Sequence, residues 1–97
     1  MLYVALLSIK SHSKGQERMI QRVEWKYPET IRVKGEYWLT NSDPAVVVVY
    51  ESDTPTDGML ISMVWGDHFD VRIFPAITAD QGLAFGQQMM AAMGGGQ

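Results

Sequence analysis

Apolar and polar positions along the chain follow two different periods, and the switches between them predict seven elements. Leu2 to Ile9 (LYVALLSI) is an almost unbroken aliphatic run bounded by polar residues, which predicts a strand buried on both faces. Helical spacing takes over next. Met19, Ile20, Val23 and Tyr27 form one stripe, with Gln16, Glu17, Arg18, Gln21, Arg22 and Lys26 on the solvated remainder. Ser11 or Ser13 is placed to cap this helix and Pro28 to end it, giving a span of about 13–27. Residues 30–40 (TIRVKGEYWLT) alternate strictly. Ile31, Val33, Gly35, Tyr37 and Leu39 fall on one face, and Arg32, Lys34, Glu36 and Trp38 on the other.

The turn cluster NSDP at 41–44 leads into AVVVVYE at 45–51, whose four consecutive valines predict a central strand. SDTPTDG at 52–58 opens a second helix, with Thr54 at the N-cap, Pro55 at the first turn and Asp57 in place of a capping-box Glu. Met59, Leu60, Met63 and Val64 make its apolar stripe, Ile61 and Trp65 are four apart, and Gly66 suits a left-handed terminus. HFDVRIFPA at 68–76 alternates again, and Pro75 confines it to a sheet edge. Thr78 to Gln81 resembles another capping box, leading a methionine-rich helix to Met93, and GGGQ at 94–97 reads as a flexible tail.

Strand, helix, strand, strand, helix, strand is the order of the ferredoxin-like α+β fold, with an antiparallel sheet in spatial order 4-1-3-2 and an extra C-terminal helix. The two runs that are apolar on both faces then become the central strands, and the two that alternate become the edges. This divides the chain into a ferredoxin-like domain over 1–77, a helical extension over 78–93 and the tail. Two helices cover only one side of such a sheet. The other side keeps an apolar patch that soluble monomers rarely expose, so a homodimer is expected, unless the C-terminal helix folds back over it.

Composition narrows the function. A chain with 46% hydrophobic residues hides roughly 60–70% of its unfolded surface, enough for a core without staples. The absence of cysteine removes disulfides, thiolate metal sites and a cysteine nucleophile. No apolar run approaches the about 20 residues of a spanning helix, and the N-terminus has no secretory pattern, so a cytoplasmic protein with no membrane association is expected. A net charge of −3 has the wrong sign for nucleic acid, and AVVVVYE lacks the basic and aromatic pattern of an RNA-reading strand. No metal-ligand spacing and no cofactor motif stands out. Asp67, His68 and Asp70 are only a weak cluster, and the local Ser11-His12-Ser13 lacks an orienting carboxylate.

The residue patterns leave a short set of site candidates. His68, Asp70 and Arg72 alternate along one edge strand, which would let His68 act as a general base and Arg72 hold an anion. Alternating charge on an edge also blocks unwanted strand pairing. Trp38 with Arg32, Lys34 and Glu36 on the other edge suits a flat acidic or phenolic ligand, or equally a dimer interface with a charged rim. The methionines suit a core or an adaptable groove. Whether the chain is an enzyme stays open.

WGDHFDVRIFPAI at 65–77, the opening LYVALLSIK with its following amphipathic helix, and Gly35-Glu36-Tyr37-Trp38 together resemble a family of short uncharacterised proteins. That family is catalogued as a domain of unknown function within the dimeric α+β barrels. The resemblance covers about residues 1–77 and implies a fold and a dimer. The family usually carries Gly-Arg-Trp-His where this chain has Glu36, Tyr37 and Trp38 after Gly35. Related barrels include cofactor-free monooxygenases, haem-degrading enzymes, lactone isomerases and stress proteins. The expected function is therefore a small homodimeric protein that binds a small molecule or acts as a non-catalytic accessory. The alternative is a cofactor-independent monooxygenase or isomerase acting on a small aromatic or acidic substrate.

Overall fold

The computed structural model describes residues 1–94. Four strands, β1 (Leu2–Ile9), β2 (Arg32–Trp38), β3 (Val46–Glu51) and β4 (Phe69–Ala76), form one antiparallel sheet in the order β2-β3-β1-β4. The helices are α1 (Gly15–Glu24), α2 (Thr56–Trp65) and α3 (Ala79–Gly94). The architecture is the α+β arrangement expected from the element order, with the two aliphatic runs at the centre. Ala5 of β1 faces Val48 on one side and Ile73 on the other, which sets the register of the whole sheet.

One sheet face carries the core. Ala5, Leu7, Val48, Tyr50 and Phe69 are buried there against Ile61 and Trp65 of α2, with Ile31 and Ala45 closing the margins. Tyr3 stacks on Tyr50 with ring centroids 5.4 Å apart, and Trp65 meets Phe69 edge-on at 5.9 Å. Gly58 lets α2 approach, since a Cβ there would sit 3.2 Å from Ile73 Cδ1. The inward positions of α2 are Asp57, Ile61 and Trp65, while Met59 and Met63 face water at 65% and 78% exposure. The methionine stripe expected for α2 is therefore on the wrong side, because the larger Trp65 and its i−4 partner Ile61 take the core.

Two helix starts also differ from expectation. Pro55 occupies the N-cap of α2, and Thr54 Oγ1 accepts from Thr56 N at 3.2 Å instead of capping the turn. Asp57 turns inward, where its carboxylate accepts from Ser52 Oγ at 2.5 Å and Thr30 Oγ1 at 3.1 Å. Lys14 is the N-cap of α1 with no side-chain cap bond, and the helix ends at Glu24, three residues before the predicted end. Gly66 is right-handed rather than left-handed. Glycine fits there because a Cβ would lie 2.5 Å from the Ser62 carbonyl oxygen.

The largest departure is in β2. Val33 faces Tyr50 and Gly35 faces Val49, so Lys34 is an extra residue bulged out of the ladder. Strand parity reverses there. Val33 points to the helices as expected, but beyond the bulge Glu36 and Trp38 point to the helices, opposite Val48 and Val46. Tyr37 goes to the open face instead, and its ring lies where a Gly35 side chain would be, within 2.6 Å of an ideal Cβ.

Among the described residues no helix covers the second sheet face. Val4, Leu6, Val47, Val49, Phe74 and Tyr37 form its apolar centre, with Arg32 and Glu51 at one end and Asp70 and Arg72 along one edge. α3 does not fold back over it. Thr78 and Gln81 form the expected reciprocal cap, Gln81 N donating to Thr78 Oγ1 at 3.1 Å and Thr78 N to Gln81 Oε1 at 2.9 Å. Among the described residues α3 then packs on no other element. The molecule is accordingly 61 Å long, with a radius of gyration of 17.2 Å against about 12–13 Å for a compact chain of this size. Met89, Met90 and Met93 are exposed rather than core. Gly94 still belongs to α3, and the rest of the expected tail, 95–97, lies outside the described residues.

Asp57 links the end of β3, the start of β2 and α2 through two hydrogen bonds to a buried carboxylate. Asp57→Ala should lower stability by about 3–6 kcal/mol, the two charge-assisted bonds contributing about 1.5–3 kcal/mol each. Urea unfolding followed by tryptophan fluorescence measures this, and a loss below about 0.5 kcal/mol would show that the bonds are dispensable.

Candidate functional site

The four residues expected to bind a ligand do not converge. Arg32 sits at the start of β2 on the open face, paired with Asp53 at 3.2 Å. Arg72 is on the same face at the opposite edge, 3.6 Å from Asp43. Trp38 points to the helical side. His68 lies in the turn just before β4, where its carbonyl still accepts from Lys10 N at 2.9 Å, and its side chain meets the β1–α1 loop. Its Nδ1 lies 2.7 Å from Ser13 Oγ, while His12 Nε2 is 2.9 Å from the Asp67 carbonyl oxygen. These two contacts, with Lys10 Nζ donating to the Gly66 carbonyl at 2.5 Å, stitch the β1–α1 loop to the α2–β4 loop. The Asp67, His68 and Asp70 candidate does not assemble either, since no three potential ligands come together among the described residues.

What the structure assembles instead is a cavity of about 350 Å³ between α1 and the helical face of the sheet. Its floor is apolar: Leu7, Val46, Val48, Ile61, Trp65 and Phe69. One wall is polar, with Arg18 and Arg22 from α1, Tyr27 from the segment after it, and Glu36 from β2. The exposed lining residues Met19, Trp38, Leu39 and Asn41 mark its mouth.

The cavity exists because α1 is held by polar tethers and not by its apolar stripe. No residue of α1 is buried, and Val23 is 76% exposed. Arg22 makes a forked pair with Glu36, Nε to Oε2 at 2.8 Å and Nη2 to Oε1 at 2.9 Å. Gln21 Nε2 donates to the Val64 carbonyl at 2.7 Å. Tyr27, outside the helix once Trp25 has turned extended, donates its hydroxyl to Glu36 Oε1 at 2.8 Å. Trp38 Nε1 donates to Glu36 Oε2 at 2.7 Å. The guanidinium of Arg22 also lies 5.7 Å from the Tyr27 ring centroid.

Four donors therefore converge on one carboxylate. Burial opposes the charge on Glu36, but the bonds from Arg22, Trp38 and Tyr27 outweigh it and hold the group below its ordinary value of 4.5. The same pairing raises Arg22, its hydrogen bond to Glu36 being the main cause. Burial first, and then the bond to Glu36, push the Tyr27 phenol well above 10.0. At neutral pH Glu36 is thus an ionised carboxylate, Arg22 a charged guanidinium and Tyr27 a protonated phenol. None is poised to exchange a proton there.

Sequence reasoning placed Glu36 on the wrong face and left Arg22 and Tyr27 as solvated surface and helix stripe. Two signals pointed to the site. Glycine inside an alternating strand marks a bulge, and Arg18 and Arg22 are four apart on one helix side.

The Glu36 carboxylate stabilises the fold only while ionised. Its contribution is present above the unfolded value near 4.5 and is lost as pH falls through the lower folded value. Thermal melts from about pH 6 to about pH 3 should show the wild type losing part of its margin over Glu36→Gln as the pH drops. A constant difference across that range would show that Glu36 is not held ionised.

Comparison with curated proteins and with solved structures returns no match. A family model does match, and it extends past β4 into α3, beyond the reach of the sequence resemblance. Matching residues 1–90, it places this chain in the family described as Domain of unknown function (DUF3303).

Proposed function

We propose that this protein binds a small, largely apolar molecule in the cavity beneath α1, and that it does so as a homodimer of the dimeric α+β barrel type. The cavity carries the first part of the reading. At about 350 Å³ it falls within the range of small-molecule sites, and it combines an apolar floor with a few convergent polar groups. The state of those groups favours binding over acid–base chemistry. Glu36 is held ionised and Tyr27 protonated, and His68 is turned to Ser13 outside the lining. A cofactor-independent oxygenase or isomerase would need a group in the cavity that exchanges protons near neutral pH.

The open sheet face supports the second part. Val4, Leu6, Val47, Val49, Phe74 and Tyr37 form a contiguous apolar centre that soluble monomers rarely leave uncovered. A second copy supplies the same surface, so a two-fold contact is self-complementary. Its charged margins, Arg32 beside Glu51 and Arg72 beside Asp43, are already paired within each chain.

Two measurements test the two parts separately. Val46→Phe puts a ring into the cavity, so calorimetric titration with a panel of small aromatic compounds should find saturable binding to the wild type, weakened at least about tenfold in the variant. Binding that ignores Val46→Phe, or no binding, would overturn the site. Sedimentation equilibrium should give twice the 10.9 kDa chain mass, and Phe74→Glu should return the monomer. A wild-type monomer would overturn the dimer.

A further inference from the structure

We infer that the ligand of the α1 cavity is an anion, an apolar body bearing a carboxylate or a similar oxyanion. This rests on the cavity being a binding site and goes on to assign its ligand class. The argument is a count of donors and acceptors on the polar wall. Glu36 accepts two hydrogen bonds at each oxygen, which fills the acceptor capacity of a carboxylate. It has nothing left to offer a cationic or donor-rich ligand.

The donors are not exhausted. Arg22 uses Nε and Nη2 on Glu36, and Arg18 uses Nη1 on the carbonyl and hydroxyl oxygens of Ser13. Among the described residues Arg22 Nη1 and Arg18 Nη2 have no protein partner. Both arginines line the cavity from α1, four residues apart. With Glu36 the wall carries a formal charge of +1, in a chain whose net charge is −3. The cavity is thus locally opposite in sign to the molecule around it.

Each class of ligand meets this wall differently. A neutral apolar molecule would press against guanidinium N–H groups and deprive them of water without replacing it. A cation would add to the positive charge. An anion pairs with the free guanidinium edges, in the charge-assisted geometry that Arg favours, while its body lies on Val46, Val48 and Phe69.

Three probes with one ring system separate the possibilities: 2-naphthoate, 2-naphthamide and 2-naphthylmethylammonium, titrated by calorimetry into the full chain. The carboxylate should bind at least about tenfold tighter than either of the others, and added salt should weaken it most. Arg18→Gln leaves the Glu36 cluster intact and should reduce the carboxylate's advantage to about threefold or less, with Arg18→Lys restoring part of it. Thermal melts of both variants check that they are folded. If the amide or the ammonium binds as tightly as the carboxylate, the anion assignment falls while the cavity stands as a site. If none of the three binds, both fall.

Discussion

Between Val33 and Gly35 the β2 strand carries one residue that β3 does not match, and the chemistry of the cavity wall depends on that mismatch. Side chains alternate with a period of two, so a single extra residue sends every later side chain to the opposite face. Without the Lys34 bulge, Glu36 would face the open side and Arg22 would have no carboxylate to hold. Trp38 would leave the cavity mouth with it. Gly35 makes the distortion tolerable in two ways. It permits the local bend, and it leaves room on the outer face for the Tyr37 ring that the parity change sends there.

The forked Arg22–Glu36 pair then determines how α1 sits. A helix that buried Met19, Ile20 and Val23 would close down on the sheet and fill the space beneath it. Here the tether lies on the polar side of the helix. Ile20 and Val23 are left outward, Met19 reaches only the mouth, and the helix stands off the valines of β3. Such a pair is a weak source of net stability, because removing both charges from water offsets much of their attraction. Its value is geometric. It fixes a helix at a distance that apolar packing alone would not choose, and the cavity is the result. The absence of buried residues in α1 and the presence of the cavity are two views of the same arrangement.

This explains how far the sequence could be read. Strand order, the central position of LYVALLSI and AVVVVYE, and the capping box at Thr78 followed from local chemistry, where composition and period agree. The seven elements were legible for that reason. The site was not, since it depends on non-local choices. Ser13 could cap α1 or meet His68, and the second partner lies 55 residues away. Asp57 could close a capping box or turn inward to Ser52 and Thr30, and burial decided for the latter. Strict alternation across Gly35 gave the wrong face for Glu36 and Trp38 because periodicity has no way to count a bulge. Only the glycine itself carried that information.

The remaining apolar surface has a physical consequence of its own. α3 is 16 residues long, contains Gly82 and Gly86 in its interior, and among the described residues packs on no other element. Isolated helices of about this length are marginal in water, and each interior glycine costs about 1 kcal/mol relative to alanine. Its exposed Leu83, Phe85, Met89, Met90 and Met93 would offset that only by being buried, and after Asp80 no residue of the helix bears a charge that would resist burial. The open sheet face presents the matching problem: central aliphatic strands with no layer above them. An α+β sheet with helices on one side is stable as two layers only if its second face is polar, and here it is not. In the proposed dimer the sheet face gains its missing layer from an identical sheet. The open sheet face and the apolar side of α3 thus pose one physical problem, apolar area with no layer over it, and the proposed dimer answers it for the sheet.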